Sequence, residues 1–289
     1  SSTQFGALTT DQVVALTTGQ AKALGAAQAR GLTSEQVGAL STDNVAQLST
    51  AAVSALSAGA LEGLDADRAQ ALSSTQVGAL TTEQLTALTT EQVATLGSDE
   101  AAGLKSVQLS AMSTASLQAL GTQAMSALTT GALRGLSAAQ FGSLTTEQLQ
   151  SLTTSQAASL VTAQVSGLSS AQVDSLESQD LGSLSTAVVA SLGTTALAGL
   201  DDGQLAGMTS TQVGSLTTQQ VQSLTTDQLA GLGSDEGSGL KAAQLSALST
   251  TSLQALSTDA LGALSTDALK GLSSTQFGAL TTDQVVALT

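Results

Sequence analysis

Leucine returns at almost every eighth position of this chain, from Leu8 and Leu16 to Leu288. Of 36 such positions 34 are Leu, and Met112 and Met208 fill the other two. With this residue as position 8 of an octad, position 5 is apolar throughout (Phe5, Val13, Val37, Leu61, Val77, Leu85) except at Gly237. Position 7 is Ala, Gly or Ser apart from Gln47 and Thr95, positions 1 and 2 are mostly Ser or Thr, and position 4 is Gln in 21 octads. Positions 3 and 6 vary and carry most of the charges, so Lys22, Arg30, Arg134 and Asp174 are expected in solvent or at contacts between molecules.

Positions 5 and 8 lie one helical turn apart. Thr81 and Gln84 form the Ser/Thr-x-x-Gln pattern of a capping box, in which a hydroxyl and an amide satisfy free N–H groups at a helix start. The pattern recurs in phase with Leu at Thr9/Gln12, Thr33/Gln36, Thr145/Gln148 and Thr225/Gln228. One continuous helix is excluded. Eight residues at about 100° each overshoot two turns by about 80°, so the Leu row would wind around the cylinder. Supercoils use repeats of seven or eleven that nearly close, and paired Ser/Thr weaken a long helix. Each octad therefore predicts a helix of one to two turns, starting near position 1. Such a helix is too short to stand alone, and its residues 5 and 8 must be buried against neighbouring octads. The predicted fold is an all-α solenoid. The rival is a β-solenoid with one octad per face, since Thr and Val favour strands. It is disfavoured because 5 and 8 differ in parity.

Longer periods run through the octads. Gly at position 7 steps by 32 residues in three series: Gly31 and Gly63; Gly103, Gly135, Gly167, Gly199 and Gly231; Gly207, Gly239 and Gly271. This predicts about four octads per turn of the coil, with close backbone contact along one edge. The Gly-Ser-Asp-Glu run at 97–100, Gly-Leu-Lys at 103–105 and Gln-Leu-Ser-Ala at 108–111 return 136 residues later, and residues 1–17 are identical to 273–289. The chain thus reads as one elongated array over 1–289: super-repeats 1–136 and 137–272, then the start of a third at 273–289. No linker interrupts it, and both ends are expected to be cut from a longer array.

Composition removes whole classes of chemistry. There is no Cys, His, Trp, Tyr or Pro, hence no thiolate nucleophile, imidazole base, structural zinc site or disulfide. A net charge of −15 repels phosphate backbones and anionic membranes, so no nucleic-acid partner is expected. No apolar run approaches the ~20 residues of a membrane span. Asp99-Glu100 with Lys105, and Asp235-Glu236 with Lys241, are the clearest charged clusters. They fit a weak cation site, or more simply a helix start whose dipole favours acids. Ser238 and Lys241 form the one Ser-x-x-Lys match, but Ala102 precedes Lys105 at the equivalent place. The Thr-Thr pairs suit either a regular hydroxyl ladder or helix caps, and caps explain them better. Gln at position 4 suits either a buried amide ladder or the second half of the capping box. No catalytic, cofactor-binding or metal-ligating residue is assigned, no cofactor is expected, and the chain reads as no enzyme.

The run Leu-Thr-Thr-Glu-Gln-Val/Leu-x-x-Leu resembles low-complexity Leu-Ser/Thr-Thr-x-Gln-Val-x-Ala-Leu arrays of very large bacterial secreted or surface proteins, and the likeness covers essentially the whole chain. It implies an extracellular or cell-surface fibre, stalk or filament component whose partners are further repeats and copies of itself. The alternative expectation is an adhesin stalk or a ligand- or ice-binding solenoid.

Overall fold

A computed structural model describes residues 1–288. In it each of the 36 octads forms one α-helix, from Ser2–Gly6 to Thr282–Ala287. No strand occurs among the described residues. The chain is an all-α solenoid, and the β-solenoid alternative has no support.

Each helix is started and stopped by local chemistry. Position 1 is the N-cap, with extended backbone. Thr81 (φ −72°, ψ 161°) accepts the N–H of Gln84 on its hydroxyl, and the helix Thr82–Ala87 follows. Position 8 then returns to extended backbone (Leu88, φ −63°, ψ 135°), its own N–H donating to the Leu85 carbonyl. The chain turns on this Leu and the following hydroxyl residue. Among the described residues none has a positive φ, so the helices end without the left-handed glycine that commonly terminates a helix.

Positions 5 and 8 fill the interior, as in Leu40, Val45, Leu85, Leu109 and Leu149, all at most 1% exposed. Met112 and Met208 sit in the same core. Lys22, Arg30, Arg134 and Asp174 are exposed, as position 6 requires. Gly78 and Gly214 break that rule: both occupy position 6 and are buried. The Phe residues do not all lie in the core as expected. Phe141 is fully buried, but Phe277 is 49% exposed because it lies in the last turn, with few octads beyond it to pack over its ring.

Contacts divide the chain into two compact units, Ser1–Leu144 and Thr145–Thr289. Within the first, the helix Ser34–Ala39 packs on Ala58–Leu61, three octads later. Within the second, Ser210–Val213 packs on Ser234–Gly239, again three octads later. The position-4 side-chain hydrogen bonds, by contrast, run to the fourth octad back, as from Gln84 to Leu56. A turn of the coil therefore closes between the third and fourth octad. The glycine seam is corrected accordingly. A Cβ on Gly63 would fall 1.9 Å from the Ser34 carbonyl oxygen, and one on Gly239 would fall 2.0 Å from that of Ser210. The backbones do touch, but the partner lies 29 residues back in the third octad. The 32-residue step marks which octads carry Gly, not which octads meet.

Candidate functional site

Among the described residues, the one polar feature built repeatedly into the interior is the position-4 carboxamide. Gln84 is 2% exposed. Its Oε1 accepts the N–H of Thr81 at 2.8 Å, and its Nε2 donates to the carbonyls of Val53 (2.8 Å) and Leu56 (2.7 Å), both four octads earlier. The second unit repeats this. Gln220 accepts from Thr217 N–H at 2.8 Å and donates to Val189 (3.0 Å) and Leu192 (2.8 Å). The amide ladder and the capping box are thus one device. The cause lies at position 8. That Leu is outside the helix, so its C=O has no intrahelical partner, and a buried carbonyl must be satisfied. A glutamine four octads later supplies the donor while its oxygen closes its own helix start.

Residues that replace Gln show which half of the device each chemistry preserves. Asn44 is shorter; it donates to the Leu16 carbonyl at 2.9 Å. Arg68 donates from Nε to the Leu40 carbonyl at 2.6 Å, and its guanidinium pairs with the N-cap Asp65. Glu100 and Glu236 keep the cap, accepting the N–H groups of Gly97 (2.8 Å) and Gly233 (2.9 Å), but have no N–H to offer the carbonyls four octads back. Asp180 is 2% exposed. Burial pushes its carboxyl above the usual range, a hydrogen bond from the Thr154 hydroxyl opposes this, and the charge of Glu177 adds to the rise. On the surface, Glu147 is held below the usual range, first by a hydrogen bond from its own backbone N–H and then by the Thr145 hydroxyl.

The other sequence candidates do not converge. Ser238 Oγ donates to the Asp235 carbonyl at 2.7 Å, which is a local helix contact and no Ser–Lys pair. Asp99 and Asp235 are exposed while Glu100 and Glu236 turn inward to cap. Among the described residues no group of three acidic side chains could hold a metal ion. Where a Thr-Thr pair fills positions 1 and 2, its first hydroxyl faces the helix start, as Thr81 does towards Gln84 N–H at 3.1 Å. Among the described residues no helix is long and apolar enough to cross a membrane. Shallow grooves that the sequence did not announce lie where glycines bring helices together. One is lined by Ser74, Gly78, Gly103 and Lys105, and its equivalent by Ser210, Gly214, Gly239 and Lys241.

The family model of the ALTTAQ repeat matches residues 18–50, 70–98, 125–154, 173–210, 198–234 and 260–289, more than half of the chain. The chain belongs to the ALTTAQ repeat family. No curated protein matches it. In the octad frame the letters of the ALTTAQ repeat fall on positions 7, 8, 1, 2, 3 and 4, as in the run Ala-Leu-Thr-Thr-Glu-Gln at 87–92. Each letter then has a physical task. The Ala is the small residue that ends the helix, and the Leu is the core residue with the orphan carbonyl. The first Thr is the cap, and the Gln joins its own cap to the carbonyls four octads back.

Proposed function

We propose that this ALTTAQ repeat protein is a structural component that forms or extends an extracellular bacterial filament or surface fibre and performs no catalysis. The carrying observation is the use of the position-4 amide. The most regular polar group of the chain is committed to holding one octad to another, with the same three hydrogen bonds at Gln84 and Gln220. Such a seam extends by adding octads, with no new design at any length. The resemblance to surface-protein arrays supports the extracellular setting. Its partners are its own repeats and neighbouring copies, with no nucleic acid and no membrane insertion. Contacts between copies would be polar, because exposed large apolar side chains are few. At a net charge of −15 assembly should strengthen with added salt, which screens repulsion. Electron microscopy of the purified protein across a salt series tests this. Long uniform fibres are expected. Isolated particles at every ionic strength would reject the filament and favour the adhesin-stalk or ligand-binding alternative.

A further inference from the structure

In octads 8, 16, 17, 25 and 34 position 4 is alanine: Ala60, Ala124, Ala132, Ala196 and Ala268. All are buried, and none can donate to the carbonyls that a glutamine would serve. Those carbonyls belong to Leu32, Leu96, Leu104, Leu168 and Leu240, which are 2–6% exposed. Among the described residues no hydrogen-bond donor reaches them. A buried carbonyl without a donor costs on the order of 1–3 kcal/mol, and native interiors rarely leave one. One comparison inside the molecule shows that the need is real. Ala260 is the counterpart of Ala124 one super-repeat later, and there the N-cap is Ser257, whose hydroxyl donates to the Leu232 carbonyl. The N-cap of the Ala124 octad is Gly121, which has no hydroxyl.

The space is also available. A Cβ built on the N-cap glycines Gly25, Gly97 or Gly233 would lie 3.5, 3.0 or 3.1 Å from the capping oxygen of Gln28, Glu100 or Glu236. At Gly121 and Gly193, the N-caps of the Ala124 and Ala196 octads, it would meet nothing within 4 Å. The volume occupied by the capping oxygen elsewhere is open there.

We propose that the Ala124 and Ala196 positions, whose N-caps are glycines without a hydroxyl, each bind one ordered water molecule in place of the carboxamide. The hydrogen-bond valence matches. Gln accepts one N–H and donates two N–H; water accepts one N–H and donates two O–H. At Ala196 the water oxygen accepts from Gly193 N–H and its protons go to the carbonyls of Leu168 and Val165. Val165 already receives the Leu168 N–H at 3.2 Å and has a second lone pair to offer. Three polar partners are the usual complement of a buried water. Ala124 lies in the first compact unit and Ala196 in the second, so each unit carries one such site.

The test is a crystal structure of the whole chain at a resolution that defines water, together with one of Ala124→Gln. Ordered water is expected at about 2.7–3.2 Å from the carbonyls of Leu96 and Leu168. It should vanish from Leu96 in Ala124→Gln. In solution, the Gly121 amide should exchange roughly tenfold more slowly in Ala124→Gln, as a covalent cap replaces an exchangeable one. Native crystals without water at these carbonyls would overturn the proposal. So would an Ala124→Gln structure in which the water stays in place.

Discussion

Replacing Gln84 with Ala removes three hydrogen bonds at one stroke and tests the seam most directly. Leu56 loses its inter-octad donor, Val53 loses its second, and the Thr81 N–H loses its cap. The two carbonyls belong to residues that are at most 5% exposed. Leaving one such group unsatisfied costs about 1–3 kcal/mol, and loss of a cap about 1 kcal/mol. Together these give a destabilisation of about 2–4 kcal/mol, of which a water entering the freed space recovers part. Gln84→Glu separates the two halves of the device. It keeps an acceptor for Thr81 N–H but turns a carboxylate towards two carbonyl oxygens. It should cost more than Ala at neutral pH, and less as acid supplies the proton that lets it donate. The control is Glu83→Gln, at the exposed position 3 of the same octad. Urea unfolding followed by circular dichroism gives the overall loss. Hydrogen exchange read on octads 7 and 11 places it, which matters because repeat arrays open locally. If Gln84→Ala and Gln84→Glu both fell within about 0.5 kcal/mol of Glu83→Gln, as surface changes do, the seam would not be a stabilising element.

Three further outcomes are expected. Gly63→Ala places a methyl 1.9 Å from the Ser34 carbonyl oxygen and should cost about 1–3 kcal/mol in thermal unfolding, whereas Gly59→Ala, where a Cβ meets nothing within 4 Å, should gain about 0.5–1 kcal/mol of helix propensity. Leu144→Ala removes a buried side chain and should cost about 2–5 kcal/mol, against less than about 0.5 kcal/mol for Ala158→Ser at exposed position 6; equal losses would show that the core is misassigned. Because burial raises the Asp180 carboxyl above its ordinary value, the folded state holds this proton more tightly than the unfolded one. The contribution of Asp180 to stability is therefore greatest in acid and declines as pH rises from the ordinary carboxylate value through the raised one. Asp180→Asn should abolish that slope in a pH series of melting curves and be the more stable protein at neutral pH; an unchanged slope would show that Asp180 is not its source.

The sequence by itself determined what closes within one octad. A hydroxyl at position 1 and an amide at position 4 meet across three residues, so the cap of Thr81 by Gln84, and the helix it starts, were legible from spacing alone. The apolar pair at 5 and 8 likewise marked the buried face, down to Met112 and Met208. What spacing could not show is the destination of the amide's other end. Nε2 of Gln84 reaches residues 28 and 31 positions back, and that reach depends on how far each short helix is rotated relative to the last. The rotation comes from packing at every Leu-Ser/Thr turn and accumulates over three or four octads, so no single residue encodes it. For that reason glycines spaced 32 apart make their contacts 29 apart, position 4 is an interior position, and Phe141 is buried while Phe277 in the same octad slot is half exposed. Asp180 became a buried acid only when the coil closed over it.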